Sequence, residues 1–557
     1  MSTPSARAAQ YAWLLAYLRP RIGPIAAVLA LAVATTAIGV LTPWITKHII
    51  DDGLIGRNAQ ALIGWVVLML GLTVAAALLG ALNRRAYLAV SSDMLLAMRH
   101  DMFAHLARLS PAFFGRTTQG NLLSRIDGDL GEVQRYALDS LLAGVNGMLA
   151  LIAALVMMAL LSPGLMLVAF VLLPVSVVFL RLARPRLESQ TRALRERSTD
   201  ITSLLMDRLP NMRMLQSLLA VGPTITLLDD TQRVWRTQLL STQMFGYWVA
   251  TVPGLFNTLA TAAVFIVGGH AVIEGDLTLG TLIAFTGYLG RASGPVNSLL
   301  GLYVATQRAR VSLARVHELL DAKALVTEPQ QPVVLPPGPG EIRLEHMQYA
   351  HDGGPALWQP VSLCLPGGAR VWIDGPSGAG KSTMLALLQR HADPGHGRIL
   401  LDSIALDQLA FHALRSAITL LDQDAPMLDA SVRENLGLGM QVPDTAMLEA
   451  LNQAMLGAWF ATLPDGLDTR IGHRAARLSG GERHRLALAR VLLRRPRVLL
   501  FDETTAAMDG PLAESIWASV ATLFPVQTLI VAAHRRPALA LSHRLALAQG
   551  VWTLEAL

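Results

Sequence analysis

Six apolar stretches fill the first 305 residues of this chain, at 22–45, 61–82, 138–161, 164–180, 244–268 and 279–302. Each is close to the ~20 residues that an α-helix needs to cross a bilayer. A chain of 557 residues would otherwise suggest three or four soluble domains, but here 52% of residues are hydrophobic and only 15% charged, against ~25% charged in soluble domains. The opening "MSTPSARAAQ" lacks the apolar run and small-residue cleavage site of a removable signal peptide, so the first stretch is expected to stay as an anchor.

The connections alternate in charge. After the second stretch come Arg84, Arg85, Arg99, Arg108, Arg116 and Arg125; after the fourth come Arg181, Arg184, Arg186, Arg192, Arg195 and Arg197. The turn at Ser162 and Pro163 is uncharged, and the turn between the fifth and sixth stretches carries Glu274 and Asp276. Arginine excess marks the cytoplasmic side, which places both termini in the cytoplasm. The net charge of +6 is thereby loop charge and not a nucleic-acid footprint. The arginine-bearing connections read as helical stalks reaching ~35 Å beyond the membrane at 1.5 Å per residue. The single Cys364 excludes an intrachain disulfide framework or a multi-cysteine metal site, and is read as a small buried strand residue.

After Arg315 the pattern changes. "TEPQQPVVLPPGPG" is a linker rich in proline and glycine, which divides the chain into a transmembrane domain (1–320), a linker (321–340) and a soluble domain (341–557). A strand pattern, "GARVWID", leads into Gly375, Pro376, Ser377, Gly378, Ala379, Gly380, Lys381, Ser382 and Thr383, followed by a helical run. This is the phosphate-cradling pattern G-x-x-x-x-G-K-[ST] in its strand–turn–helix setting. Its backbone N–H groups close around phosphate oxygens, Lys381 reaches the β- and γ-phosphates, and the Ser382 hydroxyl ligates Mg2+. Downstream, the apolar run 498–501 ends in Asp502 and Glu503. A carboxylate there can hold the metal, and its neighbour can activate the attacking water.

With these segments in hand, the chain resembles the ATP-binding cassette transporters of the exporter half-transporter type, over essentially its whole length. "LSGGE" is similar to the family signature, with Glu482 in place of the usual glutamine. The resemblance implies that Ser479, Gly480 and Gly481 bind the γ-phosphate of an ATP held by a second subunit. It also implies Gln423 as the residue sensing Mg2+ and the attacking water, Asp502 as a metal ligand, Glu503 as catalytic base, His534 as a γ-phosphate contact and Asp509 in the loop after the base. Residues 111–129 resemble a stalk whose short transverse helix docks into the nucleotide domain, and a second such helix is expected near 207–216, where Pro210 interrupts. Departures from the pattern are His351 at the adenine-stacking position, with Tyr349 as the alternative, His473 in place of a glutamate before the signature, and Asp422 before Gln423.

The expected fold is therefore multidomain: an α-helical six-span transmembrane domain with long stalk helices, then an α/β P-loop NTPase domain with a helical subdomain. The implied function is ATP-driven export of a hydrophobic or amphipathic substrate (a lipid, drug-like molecule or peptide) by alternating access of a dimer, using ATP and Mg2+. The partner is a second half-transporter, a homodimer being favoured because every ATP-site element is present. Preference for arginine over lysine suggests a bacterial inner membrane. Two other readings share this ATP site: an ATP-gated channel or regulator, and an importer, for example of a chelated metal. In the spans, Arg291 either attracts an anionic substrate or pairs with backbone or water. Asn146, Asn257, Thr258 and Asn297 either face a cavity or bond across helices, and Tyr247 and Trp248 read as interfacial aromatics.

Overall fold

The computed structural model describes residues 4–117, 119–351, 354–376, 378–422, 425–472, 478–502 and 510–557. Two compact units result, Met1–Ala107 with Gln119–Asp321, and Arg108–Thr118 with Ala322–Leu557. The first is helical. It runs through α1 (Pro4–Leu18), α2 (Ile22–His48) and α3 (Ala59–Leu106). After α4 (Pro111–Arg116), which groups with the second unit, come α5 (Gln119–Leu123), α6 (Leu130–Leu161), α7 (Pro163–Arg208), α8 (Met212–Ser217), α9 (Val221–Glu274) and α10 (Leu279–Leu320).

Local chemistry sets the helix ends. The side chains of Asn58, Ser162 and Thr278 accept from the backbone N–H groups of Ala61, Leu165 and Thr281, starting α3, α7 and α10. Pro163 adds a preset φ at the start of α7, and Gly275 at φ +86° ends α9. Because no breaker separates span from stalk, α3 runs on from residue 82 to Leu106, ~36 Å of continuous helix. Pro210 stands between α7 and α8, where the sequence predicts an interruption.

Among the described residues, four helical stretches are long and apolar enough to cross a membrane: Ala9–Ile55, Ala59–Leu106, Gly120–Leu161 and Val221–Glu274. The expected fourth and sixth spans, on α7 and α10, are not among them. Part of each (169–173 and 299–300) has side chains outside the description, and the apolar run of α10 is diluted by Gly290, Arg291, Gly294 and Pro295.

One apolar cluster joins α6, α7, α9 and α10 through Met158, Leu165, Val264, Phe285 and Tyr288. The Tyr288 hydroxyl donates to the Val40 carbonyl at 2.6 Å, satisfying the polar end of a buried ring. Outward, Leu78 and Ile266 remain 68% and 75% exposed, as lipid-facing positions require. In the stalks, Met94, Met98 and Met102 form a buried stripe at i, i+4 spacing on α3. Nearby, buried Asp129 accepts from the Ser312 hydroxyl at 2.7 Å, and Arg125 pairs with Glu318 at 3.1 Å.

The second unit contains two sheets. β1 (Ile342–Gln348), β2 (Val361–Leu365), β4 (His396–Leu401) and β5 (Ile404–Ala405) form an antiparallel sheet in the order β2-β1-β4-β5. β3 (Arg370–Asp374), β6 (Ile418–Leu421), β7 (Val498–Asp502), β8 (Thr528–Ala532), β9 (His543–Ala548) and β10 (Val551–Ala556) form the other, ordered β10-β9-β3-β8-β7-β6. All its pairings are parallel except β9 with β10. The helices are α11 (Lys381–Leu388), α12 (Phe411–Ala417), α13 (Val432–Gly437), α14 (Asp444–Gln453), α15 (Gly457–Phe460), α16 (Gly480–Arg494) and α17 (Gly510–Leu523). A separate apolar cluster around Leu436, Met447, Leu456 and Leu486 gives α13, α14 and the start of α16 their own small core.

Cys364 corrects one expectation. It lies on β2, but on that strand's solvent face, and is exposed. The alternation of β2 places Val361 and Leu365 inward and Ser362 and Cys364 outward, so strand periodicity overrides the residue's apolar character.

Candidate functional site

The parallel sheet brings together segments far apart in sequence. β3, β7 and β8 are parallel, so their carboxyl ends lie on one edge. The P-loop follows β3, Asp502 ends β7, and His534 follows β8 two residues past Ala532. In open α/β sheets this edge is where ligands bind.

The loop geometry depends on glycine. Gly378 and Gly380 have φ of +76° and +105°, and Gly380 stands directly before α11. A β-carbon on Gly380 would lie 2.4 Å from Cζ3 of Trp358. That ring is 3% exposed and meets Trp552 edge to face at 5.7 Å. The loop is thus pressed onto a fixed indole, which sequence reading missed because nothing local marks Trp358 as a neighbour of the P-loop. At the other end, Asp374 accepts from the Arg544 guanidinium at 2.5 Å, tying the last residue of β3 to β9. This brace was also missed.

Lys381 opens α11 and is 5% exposed. Its ammonium donates to the Gly375 carbonyl at 2.7 Å and lies 3.5 Å from Nδ1 of His534. Among the described residues no carboxylate pairs with it. A buried ammonium at a helix N-terminus without an anionic partner is costly unless an anion is bound there. Ser382 is exposed one residue further along, and Thr383 is half-buried. For Mg2+, one hydroxyl from Ser382 and one carboxylate from Asp502 suit an ion that keeps most of its positions for water and phosphate oxygens.

Tyr349 packs against the core of the antiparallel sheet, whereas His351 is exposed and meets the tyrosine ring edge to face at 5.1 Å. Both rings reach this surface, since Tyr349 is half-buried and its hydroxyl lies 3.5 Å from Nδ1 of His351.

The signature residues take a different setting. Ser479 caps α16: its hydroxyl accepts from the Glu482 N–H at 3.3 Å, and the Glu482 carboxylate accepts from the Ser479 N–H at 2.7 Å and hydroxyl at 2.8 Å. Glu482 therefore serves as the returning half of a capping box, an anion favoured at a helix N-terminus. Gly480 and Gly481 form the first turn. Ser377, Gln423, His473, Glu503 and Asp509 lie outside the described residues.

In the helical unit, Arg291 is exposed, with Nη1 3.3 Å from where a β-carbon on Gly39 would stand. Asn146 Oδ1 is buried without a hydrogen-bond partner. Thr258 donates to the Gly254 carbonyl of its own helix at 3.0 Å, so it does not bond across helices. Tyr247 and Trp248 are 58% and 52% exposed. Asn257 is half-buried on α9, and the Asn297 side chain lies outside the description.

Comparison with known proteins agrees with this layout. The family of the ABC transporter transmembrane region matches residues 25–296, and the ABC transporter family matches 358–506. The chain belongs to the ABC transporters. It is an exporter-type half-transporter, an integral membrane protein that binds and hydrolyses ATP. It is 28% identical to an ATP-dependent lipid A-core flippase of Chromobacterium violaceum, over 91% of this chain and 88% of that protein. It is 29% identical to a multidrug efflux ATP-binding/permease protein of Mycobacterium tuberculosis, over 92% of this chain but 43% of that longer protein. A solved structure of a bacterial Atm1-family ABC exporter with ATP bound matches with a TM-score of 0.77 at 24% identity, over 96% of this chain and 94% of that one. At that identity the likeness speaks for the fold. A half-transporter architecture implies dimerisation.

Proposed function

We propose that this half-transporter works as a homodimer in a bacterial inner membrane, exporting a hydrophobic or amphipathic substrate from the cytoplasmic side. The observation that carries the ATP-site reading is the Lys381 ammonium, buried and facing His534 at the carboxyl edge of the sheet. An anion of the size of a γ-phosphate balances this charge, and the Gly378 and Gly380 backbone shapes the turn around it. Ser382, Asp502 and Gln423 would hold Mg2+, which neutralises charge between the β- and γ-phosphates. Glu503 would take the proton of the attacking water, and His534 would contact the γ-phosphate. His351 would cover the adenine.

Each chain carries both a P-loop and a signature, so a symmetric pair would complete two sites. ATP binds the closed pair more tightly than the open one, and that difference drives the change of access. The nearly uncharged spans, and relatives named for multidrug efflux and for a lipid flippase, favour a lipid-like or amphipathic cargo. Domain limits of 1–320 and 341–557 accompany this reading.

The test uses inside-out membrane vesicles containing the chain. ATP-dependent uptake of a labelled lipid or amphipathic dye, lost in Glu503→Gln, supports export. Uphill accumulation in right-side-out vesicles would instead mark an importer. An ion current persisting in Glu503→Gln would mark a channel.

A further inference from the structure

Arg490 lies on α16, ten residues beyond Gly480, which is ~15 Å along the helix from the signature turn. Arg490 is half-buried, and desolvation lowers its pKa to about 10, with the charge of Arg494 adding to the effect. Nε donates to the Asn435 carbonyl at 2.6 Å, Nη1 to the Pro426 carbonyl at 2.6 Å, and Nη2 to the Asn435 side-chain oxygen at 2.7 Å. Asn435, on α13, is fully buried. Its side-chain oxygen also accepts from the Leu428 N–H at 2.9 Å, and its amide donates to the carbonyls of Leu428 and Ser431, each at 3.0 Å. The two side chains thus hold the whole turn 426–431, which begins three residues after Gln423, against the middle of the signature helix.

Stability alone does not account for this arrangement. A half-buried cation held by neutral acceptors has, among the described residues, no ion-pair partner to offset its partial desolvation. What a planar fork supplies is registry: three donors in fixed directions, which a lysine ammonium cannot reproduce. The turn it grips follows the Gln423 segment of the chain's own nucleotide site. The helix it rides on begins at Ser479, which faces the other subunit's nucleotide under the functional reading above.

We propose that Arg490, with Asn435, is a positioning residue that locks the segment after Gln423 to the signature helix, so that the two half-sites of one chain move as a single body. The inference rests on the signature serving a second copy's ATP. Closure around one nucleotide then sets the position of Ser479, Gly480 and Gly481 for the other, and hydrolysis becomes cooperative in ATP.

The test measures the full chain reconstituted in lipid, as wild type, Arg490→Met and Arg490→Lys. Three readouts are taken: thermal unfolding, affinity for a fluorescent ATP analogue, and the ATP dependence of hydrolysis. Arg490→Met should remain folded and bind the analogue within about twofold of wild type, because the P-loop is untouched. Its kcat should fall on the order of tenfold and its Hill coefficient should drop to 1. Arg490→Lys should fail to restore either value, although it keeps the charge. A folded Met variant with wild-type kcat and cooperativity overturns the proposal. So does a change confined to KM, non-cooperative hydrolysis by the wild type, or unfolding of both variants, which would make the residue purely structural. Absence of any hydrolysis by the wild-type chain would refute the ATPase reading itself, a distinguishable result.

Discussion

Replacing Gly380 by alanine isolates the contact on which the P-loop rests. The new β-carbon would stand 2.4 Å from Cζ3 and 3.1 Å from Cε3 of Trp358. The indole cannot retreat, being 3% exposed and wedged edge to face against Trp552. Overpacking of this kind costs ~1–3 kcal/mol, and a side chain at φ +105° adds ~1–3 kcal/mol of backbone strain. Gly378 is the internal control. Its φ is +76°, but a β-carbon there meets nothing within 4 Å, so Gly378→Ala carries only a left-handed backbone cost of ~1–2 kcal/mol. Thermal unfolding of the nucleotide-free protein should therefore show Gly380→Ala less stable than Gly378→Ala, chiefly by the clash, with any difference in backbone strain added. If the loop shifts to relieve the clash, a misalignment of ~2 kcal/mol lowers affinity for an ATP analogue about 30-fold. Trp358→Leu in the Gly380→Ala background should recover part of the packing loss and none of the backbone strain. Equal unfolding temperatures for the two alanine variants, with unchanged ATP affinity, would refute the reasoning.

Three further outcomes are expected. Asp51 accepts from the Thr278 hydroxyl at 2.7 Å and the Gly280 N–H at 2.9 Å; Asp51→Ala should lower stability in detergent by ~1.5–3 kcal/mol, and an unchanged unfolding temperature would count against this tie between the helical turn following α2 (Ile49–Ile55) and the start of α10. Glu482→Ala removes the return arm of the capping box and should cost ~1 kcal/mol, whereas Glu482→Gln keeps the acceptor and should lie within ~0.5 kcal/mol of wild type in the same unfolding assay. Burial, with the charge of Arg415, holds the His391 imidazole below its ordinary 6.5, opposed by Asp422. Below pH 6.5 the unfolded chain takes up a proton that the folded chain refuses, so stability is lost as pH falls from 6.5 towards the lowered folded value. His391→Gln should flatten the unfolding temperature between pH 7.5 and 5.5; an identical slope in wild type and variant would remove His391 as the cause.

Much of the site was legible because its signals are local. "GPSGAGKST" announces a glycine turn before a helix from spacing alone, whereas the capping box within "LSGGE" emerged only from the structure. The long helices were legible from apolar length, while their caps Asn58, Ser162 and Thr278 emerged only from the structure. Less visible were features that depend on which strands lie side by side. Lys381 and His534 are 153 residues apart and meet because β3 pairs with β8. Cys364 is exposed because its strand's alternation, not its chemistry, chooses the face. Thr258 satisfies itself on Gly254 within α9, an option every helical threonine has and which composition does not reveal.

The sequence by itself determined that this chain is half oil and half nucleotide machine, because apolar length and glycine spacing act over a few helical turns. Only the tertiary structure decided that Trp358 backs Gly380, that Arg544 braces Asp374, and that Arg490 grips the turn behind Gln423. Those contacts join residues from tens to nearly two hundred positions apart. Strand order and helix packing bring them within ångströms, and no local periodicity encodes that proximity.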